Sequence, residues 1–208
     1  MKKTLIALAA VAATSAAFAQ SSVTLFGIMD VGVRNTKTTV GAVSTSVTTM
    51  SQDGTASSRL GFRGVEDLGG GMSASFWLEA GLNPDTGTPA GVQFQRRSTA
   101  SLSGGFGEVR LGRDYTPTFW NHTVYDPFGT NGVASSVNVF GALFGTVSAT
   151  TVRSNNMISY FTPNMSGFQA QLSYGIKEVT GGASSASDYA GLRLVYAAGP
   201  LSVALATA

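Results

Sequence analysis

The chain has 208 residues, of which 12% are charged and 26 are glycine, a balance too poor in charge for an ordinary soluble domain and too rich in apolar and aromatic residues for a disordered one. Its formal charge of +2 rests on Lys2 and Lys3; without them Lys+Arg falls from 13 to match the 11 Asp+Glu, so nothing in the charge points to nucleic acid as a partner. With no cysteine, disulfides and thiolate chemistry are excluded.

Lys2 and Lys3, the apolar run Thr4 to Ala16 and the small-x-small Ala17-Phe18-Ala19 read as a cleaved export signal over 1–19, with the mature chain starting at Gln20. The run is shorter than the roughly 20 apolar residues a membrane helix needs, and no later stretch is apolar for that length. Export without a helical anchor directs the chain to the periplasm, the outer membrane or the medium.

Beyond this leader, side chains alternate with the period of two that marks strands. A first strand is predicted over 22–34, with Val23, Leu25, Met29, Val31 and Val33 opposed to Thr24, Asp30 and Arg34, and with Phe26 and Ile28 on the wetter face. A long connection over 35–55 leads to strands at 56–66 and 71–82. In the earlier of these Leu60 and Phe62 face one way, so Arg59 and Arg63 face the other; in the later Phe76, Leu78 and Ala80 oppose Trp77, Glu79 and Gly81.

After residues 83–91 the strand over 92–103 contains adjacent Arg96 and Arg97, and only one of two neighbours can share the polar side of a regular strand. Gln93, Gln95 and Thr99 assign that side to Arg97. In the strand at 107–114, Val109 and Leu111 leave Glu108, Arg110 and Asp114 opposite.

Residues 115–151 exceed the roughly 12–15 residues above which a loop is usually functional or disordered. Disorder is disfavoured by Tyr115, Phe119, Trp120, Tyr125, Phe128, Phe140, Leu143 and Phe144, which give the segment apolar area to bury. The segment is expected to fold inward and narrow a lumen, with an ordered external loop as the alternative. Asp126 is its only acid.

Strands follow at 152–161, 167–176, 188–198 and 201–208. Ile158 and Tyr160 put Arg153 and Asn155 on the polar face, Leu192 and Leu194 put Arg193 there, and Phe168, Ala170, Leu172 and Tyr174 oppose Gln169, Gln171 and Ser173. The connections alternate: tight turns at 67–70, 104–106, 163–166 and 199–200, long loops at 35–55, 83–91, 115–151 and 177–187. Loops sorted by length in this way predict an all-β fold, a transmembrane up-and-down antiparallel β-barrel.

A charge on the lipid side of such a barrel costs about 2–4 kcal/mol at mid-bilayer, so the charged face must line the lumen. The candidate pore-constriction residues are therefore Arg59, Arg63, Arg96, Arg97, Arg110 and Arg153 with Glu79, Asp114 and Asp126. Acids facing arginines across a narrow pore would set up a field that attracts anions and orients dipolar solutes. Catalysis finds no support, because His122 is the sole histidine and sits in a loop. No metal and no cofactor is implied.

Several stretches resemble the general porins of Gram-negative outer membranes, especially their beta-proteobacterial branch. Ser21-Ser22-Val23-Thr24-Leu25-Phe26-Gly27 is similar to the family's first strand and Ser58-Arg59-Leu60-Gly61-Phe62-Arg63-Gly64 to its second. Gly104 to Arg113 followed by Asp114-Tyr115-Thr116-Pro117 resembles the fifth strand running into the constriction loop, and Arg153-Ser154-Asn155-Asn156 with Tyr160 and Pro163 the sixth.

The resemblance implies a homotrimeric barrel of about 16 strands that passes small hydrophilic solutes and ions through outer-membrane lipid. It also implies an arginine cluster of Arg59, Arg96 and Arg153 with Glu79 on the facing strand. The motif selects Arg96 where alternation selects Arg97. About half of such a barrel is present, which reads as a fragment. The competing expectation is a small closed barrel of about 8 strands with a structural or adhesive role, its interior filled by side chains. A secreted soluble β-protein is the third class.

Overall fold

The computed structural model describes residues 22–88, 91–132, 134–139, 152–177 and 189–208. The expected export signal, Phe140, Leu143, Phe144 and parts of the connections at 83–91 and 177–187 lie outside the described residues.

Nine strands form one antiparallel sheet in the order β1 (Ser22–Ile28), β4 (Arg59–Gly69), β5 (Met72–Gly81), β6 (Arg97–Gly104), β7 (Gly107–Tyr115), β8 (Arg153–Phe161), β9 (Phe168–Gly175), β10 (Tyr189–Ala198) and β11 (Leu201–Thr207). Chain neighbours pair throughout, apart from the step between β1 and β4, and the sheet is open at β1 and β11. Between β1 and β4 lies a separate hairpin of β2 (Gly32–Val40) and β3 (Val43–Ser51). The long connection expected at 35–55 is therefore mostly strand, and the first predicted strand divides in two after Ile28.

Asp30 causes that division. Its carboxylate accepts the backbone N–H groups of Thr55 at 2.7 Å and Ala56 at 2.8 Å, while its own N–H donates to Ser58 Oγ at 2.9 Å. These bonds bend the chain out of the sheet and fasten the root of the hairpin to the start of β4.

The alternation of the sequence survives in the register. Leu25 lies beside Phe62, Phe62 beside Leu78, and Leu172 beside Leu192, so apolar side chains form a band across the outer face. Leu25, Leu172 and Leu205 are at least half exposed there, whereas Thr99, Ser159, Gln171 and Ser173 on the opposite face are buried. In water this burial pattern would be inverted; a sheet standing in lipid requires it.

A segment that leaves the top of β7 covers the inner face. Thr116 caps the helix α1 (Pro117–Tyr125), accepting the Phe119 N–H at 3.2 Å, and Pro117 in the first turn loses no helical bond by lacking an N–H. The helix runs to the far strands: Tyr125 and Ser202 of β11 share a hydroxyl hydrogen bond of 2.9 Å, and Arg193 of β10 donates to Asn121 Oδ1 at 3.0 Å. Beyond it the chain doubles back, and Asn131 Oδ1 accepts from Ser57 N at 3.2 Å and Ser57 Oγ at 3.1 Å. The segment thus crosses the hollow of the sheet from β11 to the start of β4.

Candidate functional site

Antiparallel pairing places residues in register on the same face, and the inward face gathers the charges. Arg59, Glu79, Arg97 and Asp114 lie toward the long-loop end; Arg63, Arg110 and Arg193 lie further along their strands toward the tight turns.

Glu79 is the centre of the upper group and is only 6% exposed. Its carboxylate accepts Arg96 Nε at 2.6 Å and Trp77 Nε1 at 3.1 Å, and Arg59 lies 3.6 Å away. Arg96 links this carboxylate to Tyr115, whose hydroxyl accepts at 3.4 Å from Arg96 and at 2.9 Å from Arg153. Arg153 also donates Nε to the Arg96 carbonyl at 2.7 Å and sits 4.5 Å over the Tyr115 ring. Arg59, Arg96, Arg153 and Glu79 are therefore brought into one contiguous cluster.

The rivalry between Arg96 and Arg97 dissolves because β6 begins at Arg97, later than the predicted 92. Arg97 pairs in register with Glu79, and Arg96, outside the regular strand, is free to turn to the same carboxylate. Both guanidiniums reach the inward side. Arg97 lies 3.3 Å from Asp114, which also accepts from Arg110 at 2.7 Å; Arg110 in turn binds Glu108 at 2.8 Å.

The acids stand beside the arginines on one wall, in direct contact, and not across a gap from them as the sequence suggested. Asp126 is engaged elsewhere: its carboxylate accepts the N–H of Ser136 at 2.6 Å and of Phe128 at 2.8 Å, closing the turn after α1. Trp77, which alternation placed beside Glu79, and Tyr115, from the start of the long connection, carry much of this network, and no periodicity shows that their ring N–H and hydroxyl bind Glu79 and the arginines.

Asn155 differs from expectation. The register between β7 and β8 shifts between Gly112 and Asp114, and Asn156 takes a positive φ of 52°. This places Ser154 opposite Asp114 and sends Asn155 to the outer side, where Arg113 donates to it at 2.5 Å and to the Gln95 carbonyl at 2.6 Å. Arg113 is thus an outward-facing arginine, tolerable because it lies at the rim, where a lipid-side charge costs about 0–1 kcal/mol.

The N–H groups of Ser136 and then Phe128 hold the Asp126 carboxyl below the usual carboxylate range. A depressed folded value means that the carboxylate stabilises the turn above its unfolded value of about 3.9 and loses that contribution as pH falls through the folded one. Acidification below about pH 4 is accordingly expected to loosen residues 126–139 before the sheet, seen as faster proteolytic nicking there in limited digestion. Asp126→Asn should produce the same nicking at neutral pH; equal protection of variant and parent would refute the assignment.

Residues 5–208 match the Gram-negative porin family. Outer membrane porin protein 32 of Delftia acidovorans is 47% identical over the full chain, which covers 60% of that relative. A major outer membrane protein P.IB of Neisseria sicca is 36% identical, across 84% of this chain and 47% of its own length. Among solved structures, an anion-selective porin from Comamonas acidovorans superposes with a TM-score of 0.77 at 44% identity, over 90% of this chain and 57% of that one. The trimer form of OmpT, from Vibrio cholerae, shares the fold at a TM-score of 0.57 with 16% identity, over 88% of this chain and 49% of that one.

Proposed function

This chain belongs to the Gram-negative porin family, and from that premise we propose that its charged face lines a water-filled outer-membrane channel for passive diffusion of small hydrophilic solutes, with preference for anions. The chain spans 60% of the length of the Delftia relative, so the channel belongs to the complete protein. The observation that carries the reading is the inward face itself: Arg59, Arg63, Arg97, Arg110 and Arg193, joined through Glu79 and Tyr115 by Arg96 and Arg153, outnumber Glu79, Glu108, Asp114 and, beside the turn, Asp67. Glu79, Glu108 and Asp114 are already paired with arginine and Asp67 caps the turn at Gly69, so the remaining positive charge acts on the lumen. Support comes also from the relative from Comamonas acidovorans, itself described as anion-selective.

In this reading residues 1–19 are removed on export and residues 115–151 form the constriction segment. Support for the latter is that α1 and Asn131 touch opposite ends of the sheet across its inner face. The wall performs no bond chemistry and needs no cofactor; it exchanges part of an anion's hydration for guanidinium donors and returns it. Trimeric assembly in outer-membrane lipid is part of the proposal, supported by the trimer form recorded for the Vibrio cholerae neighbour.

Planar-bilayer recording of the complete protein tests the reading. Open channels with a reversal potential on the anion side are expected, and Arg59→Ala with Arg153→Ala should move that potential toward the cation side. Channels whose selectivity ignores the double substitution would remove the arginine cluster from the mechanism.

A further inference from the structure

We propose that Arg63 and the hollow beside it form a second anion station on the wall, suited to small monocarboxylates and distinct from the cluster around Glu79. The inference rests on the reading of this face as the wall of an aqueous channel. Arg63 lies four residues beyond Arg59 on β4, about 13 Å closer to the tight turns at the rise of an extended strand.

What distinguishes Arg63 is the state of its donors. Arg59 and Arg96 share Glu79, Arg97 and Arg110 share Asp114, Arg153 is bonded to Tyr115, and Arg193 to Asn121. Among the described inward arginines, Arg63 alone makes no ion pair and no side-chain hydrogen bond. It is held by its faces instead. The guanidinium lies 5.6 Å from the centre of the Phe26 ring and 5.2 Å from that of Trp77.

Trp77 is itself fixed, by its hydrogen bond to Glu79 and by Arg97 at 4.6 Å from its ring. An aromatic ring attracts a guanidinium through its charge and takes up none of the conventional acceptor partnerships of its N–H groups. Arg63 therefore presents a fork of N–H donors with no acceptor among the described residues.

The space before it is a hollow of about 360 Å³, lined by Arg63, Arg97, Arg110 and the arginine-paired Glu108, with Thr24, Ser75 and Thr99 beside them. Asp114 and Glu108 offset Arg97 and Arg110, which leaves the charge of Arg63 uncompensated. A singly charged ligand balances it. A planar carboxylate meets the fork through two parallel bonds, whereas a spherical halide cannot, and the hydroxyls can donate to its outer lone pairs. Because the fork is already ordered, binding loses little side-chain freedom.

The test is single-channel conductance of the complete protein in potassium acetate and in potassium chloride over a range of concentrations. Acetate conductance is expected to saturate at the lower concentration. Arg63→Gln should raise the acetate half-saturation by roughly tenfold or more, the loss of one bidentate charged contact. Arg63→Lys, which keeps the charge but not the fork, should raise it too, and neither should alter chloride conductance as much.

An unchanged half-saturation in Arg63→Gln would overturn the station, and full retention in Arg63→Lys would overturn its specificity for carboxylates. Failure of the parent protein to open any channel would instead overturn the pore reading beneath both. Retained heat-resistant electrophoretic mobility of each variant verifies that it folds.

Discussion

Glu79→Gln is expected to lower the stability of the folded protein by about 2–4 kcal/mol and to strengthen the proposed anion preference at the same time. The carboxylate is nearly inaccessible and receives Arg96, Trp77 and Arg59 within 2.6 to 3.6 Å. Glutamine keeps the shape and can still accept the indole N–H, but it leaves two guanidiniums facing each other without a counter-charge. Removing one partner from a buried pair costs about 3–5 kcal/mol in general. The lower figure is appropriate because Arg59 is 23% exposed on a wetted wall and can turn toward water. Urea titration followed by tryptophan fluorescence reads the stability, and the reversal potential reads the selectivity. A midpoint equal to the parent's would mean that Glu79 does not organise this cluster.

The second large effect is backbone in origin. Gly112→Ala is expected to cost on the order of 3 kcal/mol or to prevent folding, since Gly112 has a φ of +119° and an added Cβ would collide with the backbone carbonyl of Ser98 on β6. Carbonyl oxygens in a strand ladder cannot swing aside. The register between β7 and β8 shifts at this residue, and the shift sets Asp114 against Ser154 within reach of Arg97 and Arg110. Gly41, with φ +61° and nothing near its Cβ position, is the comparison: Gly41→Ala should cost only about 1 kcal/mol. Equal unfolding midpoints for the two variants would show that the shift is not anchored by Gly112.

Strand positions were readable because lipid on one side and water on the other force the strictest alternation a sheet can have. Phe168 to Tyr174 illustrate this, with Leu172 and Tyr174 about half exposed and Gln171 and Ser173 buried. What alternation could not show is where it stops. The hairpin at β2 and β3 is exposed on both sides, so its Thr, Ser and Val carry no inside or outside, and it read as a loop.

The fate of Arg96 and Asn155 turned on local irregularities, a late strand start and a register shift, which depend on contacts with distant strands. Pairing partners were equally hidden. The sequence offers acids and arginines on one face, but whether they touch or oppose each other depends on the stagger between strands, and here they touch.

The segment after β7 is moored at three places, through Tyr125, Asn121 and Asn131, to strands on opposite flanks of the concavity. Such a strut behaves like the tie-beam of an arch: it resists spreading of the walls and cannot be shouldered aside without breaking a mooring. In the proposed channel this strut would make the aperture rigid, so rejection of bulky molecules should set in sharply with molecular diameter and respond little to driving force.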